Sequence, residues 1–205
     1  GAAVRDTGLH VTTPEPEDLQ GYLADMRDAG IEVAVLEVTS HGLAQERVTH
    51  VRFDVAAVTN VTHEALEFHG TFEAYRRAKA RLFHLAAISP RRPGARKTAV
   101  LNVDDPSLAF LARIRIPRRL TYGDSEPADF AADAVSHAAR GLAFTARTPA
   151  GAVPIRSRLV GDYNVANILA ALAGSHAVAV PPEAWADGVA AMTGIPGRME
   201  PTDEG

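Results

Sequence analysis

Residues 31–38, IEVAVLEV, run directly into Thr39, Ser40, His41 and Gly42, and residues 54–59, DVAAVT, run into Asn60. Both stretches are almost continuously apolar and rich in branched side chains, the pattern of strands covered on two faces rather than one. A strand covered on two faces needs helices packed against it, and the flanking sequence supplies them. Residues 15–29 place Leu19, Tyr22, Leu23 and Met26 at helical spacing until Gly30 stops the run. After a capping Thr71, residues Phe72, Tyr75, Lys79, Leu82, Phe83 and Ala86 fall on one stripe, while Arg76, Arg77 and Arg81 lie off it.

The alternation continues with a strand over 98–103, a helix over 106–113 and a short strand over 119–122. The sequence therefore predicts an α/β fold, a mostly parallel sheet flanked by helices. Residues 130–137, 142–147 and 153–159 follow, separated by short glycine-containing turns, and read as a small antiparallel β flap. Alanine-rich helices are expected over 164–178 and 182–192, with the second ended by glycines 194 and 197.

Composition excludes several classes of function. The 205 residues are 46% hydrophobic, which suits a soluble core, and they include no cysteine, so disulfides, thiolate zinc and a cysteine nucleophile are ruled out. Apolar runs stop short of the roughly 18 to 20 residues a membrane helix needs, and no basic start leads into an apolar export segment. Cytoplasmic location and no membrane partner are the expectations. Lys and Arg number 21 against 25 acidic residues, a net charge of -4, with arginines scattered except around residues 90–96, so no nucleic-acid partner is expected. Neither end, residues 1–10 nor 201–205, has the look of a natural terminus, and both read as cuts through a longer protein.

Polar groups collect where the first two expected strands end. Glu37, Thr39, Ser40 and His41 follow one, Asn60, Thr62 and His63 the other, and ligands of open α/β sheets bind just beyond carboxyl ends of strands. The plain alternative is that strand ends meet solvent and take any polar residue. Lys79 likewise has two readings: its stem packs while the ammonium reaches water, or burial lowers its pKa and frees a neutral amine. His63-Glu64 does not open a zinc-protease helix, because Glu67 stands where the second histidine belongs. Residues 94–98 end in Lys-Thr but lead into an expected strand, so the chain has no P-loop.

Residues 36–41 (LEVTSH), 45–48 (QERV), 51–60 (VRFDVAAVTN), 67–70 (EFHG) and 71–83 (TFEAYRRAKARLF) together resemble the Mur ligase family, in particular its muramyl-tripeptide synthetases. Thr12-Thr13-Pro14, LNVDD at 101–105, GDYNVANILAAL at 161–172 and GIPGRME at 194–200 extend the match over almost the whole chain. The resemblance implies an ATP-dependent peptide ligase that adds a third, diamino acid to UDP-MurNAc-L-Ala-D-Glu through an acyl phosphate, in bacterial cell-wall synthesis. It further implies residues 1–200 as the central ATPase domain, cut before residue 1, and 201–205 as the start of a linker to a C-terminal domain. ATP and magnesium are the implied cofactors; the UDP-muramoyl dipeptide, an amino acid, and N- and C-terminal domains of the same chain are the implied partners.

Position by position, the resemblance makes Glu37 a magnesium ligand, and Lys79 the lysine that carbon dioxide carbamylates into an anionic group beside the metal. It assigns Thr12, Thr13, Thr39, Ser40, His41 and Arg47 to the UDP-sugar-peptide substrate, and Asn60, Asn164, Asn167 and Arg198 to the nucleotide. One position departs: the family reads Asp-His where this chain has Glu64-Ala65, and that histidine is a magnesium ligand. Ala65 coordinates nothing, so His63 is the expected substitute in the catalytic and metal set. Rival readings are a relative of folylpolyglutamate or cyanophycin synthetase, a divergent paralogue, and a non-catalytic substrate-binding module.

Overall fold

The computed structural model describes residues 12–61, 66–125, 127–138 and 141–194. They divide into two compact units, Gly1–Phe53 with Val61–Pro90, and Asp54–Asn60 with Arg91–Gly205. The first unit is helical: α1 (Pro16–Asp28), α2 (Ser40–Ala44), then α3 (Leu66–His69) and α4 (Phe72–Ile88). The second carries strands β1 (Val55–Ala57), β2 (Thr98–Asn102), β3 (Arg118–Tyr122), β4 (Ala131–Ala138), β5 (Gly141–Thr148) and β6 (Gly151–Ser157). Its helices are α5 (Leu108–Leu111), α6 (Tyr163–Ala177), a 3-10 turn at Pro182–Ala184 and α7 (Trp185–Ala190).

In the second unit β1, β2 and β3 are parallel neighbours in that order, with Val55 opposite Thr98 and Thr98 opposite Arg118. β2 is the central strand and is buried from Thr98 to Leu101, as its unbroken apolar run requires. β4, β5 and β6 form the antiparallel flap, with a bulge in β4 between Asp133 and Ser136 where Ala134 takes φ 55. Gly141 opens β5 at φ 141, and a Cβ there would stand 2.2 Å from the Ser157 carbonyl oxygen, so no side chain fits this turn. One core joins both sheets to α6 and α7: Val100, Leu120, Phe130, Phe144, Ile155, Leu169 and Trp185 are all buried in it.

At the amino end of this sheet Lys97 and Asp54 are paired at 3.4 Å and both are largely buried, while Arg92 reaches the same carboxylate from solvent. A buried ammonium without this partner is costly, because neither charge keeps its water.

The first unit is held by a smaller cluster of Leu19, Leu43 and Val48, backed by Leu23, Leu36, Val38, Val51, Phe53, Leu82 and Leu85. Gly30, at φ 75, closes α1: its N–H donates to the Arg27 carbonyl at 2.9 Å and the Ile31 N–H to that of Met26 at 3.0 Å. Thr71 caps α4 by accepting from the Ala74 N–H at 3.2 Å.

The expected strand over 31–38 is corrected by the structure. Those residues belong to no strand or helix and pair with no strand among the described residues, and Val35 is 90% exposed, with Ile31 and Val33 also open. A branched, apolar run becomes a strand only where a neighbour takes its N–H and C=O groups. The expected helix over 106–113 shrinks to α5, since Asp105 caps an Asx turn on the Ser107 N–H (2.7 Å) and the chain leaves the helix by Ala112. The expected last helix divides into the 3-10 turn and α7. No described helix is long and apolar enough to cross a membrane.

Candidate functional site

In the first unit the segment leading into α2 is tied to Thr13. The Thr13 side chain is buried, and its hydroxyl accepts from the Thr39 N–H at 3.0 Å, lies 3.1 Å from the Thr39 hydroxyl and 3.3 Å from the Glu37 carbonyl. Thr39 caps α2 by accepting from the Gly42 N–H at 3.0 Å. A Cβ on Gly42 would meet the Cβ and Cγ2 of Thr13 at 2.8 Å, so the close approach of the two segments depends on glycine. Arg47 completes the knot: one guanidinium nitrogen donates to the Thr13 carbonyl at 2.7 Å and another pairs with Glu15 at 2.9 Å. Thr13, Glu37, Thr39 and Arg47, singled out from sequence, are thus brought together, with Ser40 buried beside them and Thr12 exposed.

His41, on α2, leads to Lys79 through a line of rings. Its ring centroid is 4.0 Å from that of Phe68 and 5.6 Å from that of His69; Phe68 meets His69 at 4.8 Å; His69 meets Tyr75 at 5.5 Å. The Lys79 ammonium sits 5.8 Å from the Tyr75 ring centroid, one helical turn along α4. Burial, then the charges of His41 and Lys79, push the His69 imidazole below its ordinary pKa. His69 Nε2 is buried with no hydrogen-bond partner in the structure. Lys79 is half buried on a stripe of buried Tyr75, Ala78, Phe83 and Ala86, which fits the amphipathic reading of α4.

Sequence reasoning gave His69 and Phe68 no role. The signal was there in part, since Tyr75 and Lys79 are four apart on one helix face, but the approach of His41 to α3 depends on tertiary structure.

The second unit carries the other group. Asn60 is exposed just past β1. The strand end before it is braced: Asn102 Nδ2 donates to the Thr59 carbonyl at 2.9 Å, and the buried Tyr122 hydroxyl reaches the Val58 and Thr59 carbonyls at 2.8 and 2.9 Å. Burial and then Asp105 raise the Tyr122 pKa, so the phenol stays a donor. Asp104 accepts from the Asp124 and Ser125 N–H groups at 2.7 and 3.0 Å. Burial opposes its ionisation, and these bonds with one from the Ser125 side chain outweigh it, leaving the carboxyl below its ordinary pKa.

Asn164 and Asn167 share a face of α6 as expected. Asn164 is buried and donates to the Val160 carbonyl at 2.7 Å; Asn167 is exposed and donates to Asn164 Oδ1 at 3.2 Å. Asn164 therefore anchors the start of the helix and Asn167 faces solvent from it. His63, Glu64, Ala65 and Arg198 lie outside the described residues.

The Glu37 carboxylate is a hard oxygen donor of the kind magnesium takes, and what the Thr13 hydroxyl meets is the Glu37 backbone carbonyl, at 3.3 Å. Among the described residues no group of three or more His, Asp and Glu side chains gathers.

Known proteins resemble the chain over most of its length. The Mur ligase middle domain matches residues 2–174. The chain is 42% identical over 193 residues to a UDP-N-acetylmuramoyl-L-alanyl-D-glutamate–2,6-diaminopimelate ligase of Geobacter metallireducens, covering 94% of this chain and 37% of that protein. It is 42% identical over 197 residues to the ligase of the same name in Streptomyces coelicolor (95% and 37%), and 43% identical over 203 residues to a UDP-N-acetylmuramyl-tripeptide synthetase of Roseiflexus (95% and 40%). A solved diaminopimelate ligase superposes with TM-score 0.81 at 32% identity, over 92% of this chain and 38% of that one. MurF of Thermotoga maritima in complex with ADP shares the fold, with TM-score 0.59 at 22% identity over 74% of this chain and 33% of that one. The chain thus spans about two fifths of the length of the relatives it matches.

Proposed function

The chain belongs to the Mur ligase middle-domain family, and from that premise we propose that its full-length protein is an ATP-dependent ligase joining diaminopimelate to UDP-MurNAc-L-Ala-D-Glu. The observation that carries the reading is the identity of about two fifths, over more than nine tenths of the chain, to ligases named for that reaction. Residues 1–200 are then the central domain, 201–205 the way into a C-terminal domain, and the cytoplasm, where ATP and the soluble precursor meet, the site of action.

The chemistry is acyl activation. The substrate carboxylate attacks the γ-phosphorus of ATP, ADP leaves, and the incoming amine then displaces phosphate from the acyl phosphate, losing a proton as the amide forms. A bound magnesium ion would neutralise charge on the transferring phosphoryl group. In this reading Glu37 offers it a carboxylate, and His63 stands in for the imidazole absent at Ala65. Lys79 in its neutral form would take up carbon dioxide, its nitrogen bonding to carbon with loss of a proton, and the carbamate oxygens would offer hard donors to the ion. Thr12, Thr13, Thr39, Ser40, His41 and Arg47 face the sugar-peptide, and Asn60, Asn164, Asn167 and Arg198 serve the nucleotide. Support for the substrate role is the Thr13–Thr39–Arg47 knot, which fixes the start of α2 and with it Ser40 and His41. Support for the nucleotide role is Asn167, held at Asn164 and open to solvent at the start of α6.

The test uses the full-length protein with ATP and UDP-MurNAc-dipeptide. Diaminopimelate is expected to be incorporated in preference to lysine, and folate with glutamate to give nothing. Lys79→Ala is expected to lower kcat at least about a thousandfold, the equivalent of losing several kcal/mol of metal-centred stabilisation. A short carboxylate added in trans restores part of the loss. Full activity in Lys79→Ala sinks the assignment. The Ala65 departure favours one second reading, a substrate-binding module without ligase chemistry; it predicts dipeptide-nucleotide binding that is indifferent to magnesium, and no turnover.

A further inference from the structure

Two arginine-rich stretches some twenty residues apart in sequence meet at one end of the parallel sheet. Residues 91–97 (RRPGARK) precede β2 and residues 113–119 (RIRIPRR) run into β3. Because Thr98 stands opposite Arg118, and the Arg118 N–H donates to the Lys97 carbonyl at 3.1 Å, the two runs lie side by side at the amino end of the sheet. Arg91, Arg92, Arg96, Arg113, Arg115 and Arg119 are exposed there. Neither run contains an acidic residue, and Asp54 is ion-paired with them through Arg92 and Lys97. Arg91 and Arg119 lean on the Ala95 and Ala112 carbonyls at 3.0 and 2.6 Å, contacts that hold the side chains without neutralising them. Asp104, Asp105 and Asp124 lie at the opposite, carboxyl end of the sheet, as does Asn60.

We propose that this arginine strip is a docking surface for an anionic lipid bilayer, the protein resting on it peripherally. A net charge of -4 does not oppose this, since charges farther away than about 10 Å are largely screened at ~0.1 M salt. Basic side chains close to an anionic bilayer attract it by about 1 kcal/mol each, and clusters of about four to eight suffice for binding. A bilayer is favoured over an acidic protein by the make-up of the second run. There Ile114 and Ile116, half buried, alternate with exposed Arg113 and Arg115, so short apolar groups stand beside long stems whose guanidinium ends can reach phosphates while the stems lie in the interface. Guanidinium forks also match phosphate oxygens two at a time. The strip sits at the end of the sheet away from Asn60, so docking leaves the carboxyl end open.

The experiment is co-sedimentation of the full-length protein with vesicles of phosphatidylglycerol in phosphatidylcholine, against phosphatidylcholine alone, at low and high salt. Binding to the anionic vesicles only, released by salt, is expected. The triple variant Arg96→Gln/Arg113→Gln/Arg115→Gln is expected to lose at least about tenfold in partition. The matching Arg-to-Lys triple retains binding, and a control triple at exposed Arg52, Arg156 and Arg158 stays within about twofold of the parent. Ligase turnover in the Gln triple, expected unchanged, shows that the variant is folded. Equal binding to neutral vesicles, an equal loss in the control triple, or retention of polyglutamate or duplex DNA through these arginines without vesicle binding would overturn the proposal.

Discussion

The two units solve the problem of burial differently. In the second, a central strand, a flap and two helices close one core in which Val100, Leu169, Phe130 and Ala146 are fully enclosed. In the first, helices converge on Leu19, Leu43 and Val48 while the apolar residues 31–35 remain open. The polar arrangement differs in parallel. The Thr13–Thr39–Arg47 knot and the ring line to Lys79 belong to the looser unit, and the braced strand end at Asn60 to the closed one. Close packing thus stiffens the second unit, whereas the polar groups gathered in the first are held by side-chain hydrogen bonds and ring contacts, which single substitutions undo.

The sharpest way to break this comparison is a matched pair of cavities. Leu169→Ala is expected to cost about 4 to 5 kcal/mol, because its neighbours cannot collapse, and Leu43→Ala about 2 to 3; equal losses in denaturant titrations would erase the contrast. Next in size is Asp54→Asn, which leaves the Lys97 ammonium buried opposite a neutral group and is expected to cost about 3 kcal/mol. The double variant Asp54→Asn/Lys97→Met recovers most of that, and a double variant no better than the single would mean the pair is not what matters. Gly42→Ala comes third. Its Cβ displaces Thr13, at an expected cost of about 1 to 3 kcal/mol, together with a raised KM for the UDP-sugar-peptide and an unchanged KM for ATP.

The smallest effect is a pH dependence in the second unit. Burial, then Arg118, hold the His176 imidazole below its ordinary 6.5, with Asp129 pulling weakly the other way. Below pH 6.5 the unfolded chain takes up this proton more readily than the folded one. The stability His176 contributes is therefore complete above that pH and declines as pH falls through the folded value, by at most about 1.4 kcal/mol per pH unit. His176→Gln flattens the profile below pH 6.5; a profile unchanged by the substitution would assign the effect to another group.

Much of this was legible in the sequence. Continuous apolar runs announced β1 and β2, glycine-bearing turns announced the flap, and Thr71 with its stripe announced α4. These signals are local, and local physics decides them. What stayed hidden depends on neighbours. Residues 31–38 have every intrinsic mark of a strand, and only the absence of a described ladder partner keeps them from being one. Arg47 read as a residue for anionic ligand groups and also spans the Thr13 carbonyl and Glu15. His69 carried no pattern of its own, because its partners come from α2 and α4. The arginines around residue 91 stood out as a cluster, but those near residue 115 looked scattered until parallel pairing of β2 and β3 set the two runs together.

Trp185, the single tryptophan of the sequence, is packed edge-on against His176 at 5.8 Å, near Phe130, and donates its indole N–H to the Val180 carbonyl at 3.1 Å. Intrinsic fluorescence excited at the indole therefore reports on the second unit alone, and a protonated His176 quenches it. Melting of the first unit is invisible at that wavelength and shows only in the tyrosine signal of Tyr22 and Tyr75. Because Tyr122 and Tyr163 belong to the second unit, the tyrosine channel reports on both units and the indole on one, so a tyrosine transition with no indole counterpart marks the first unit coming apart by itself.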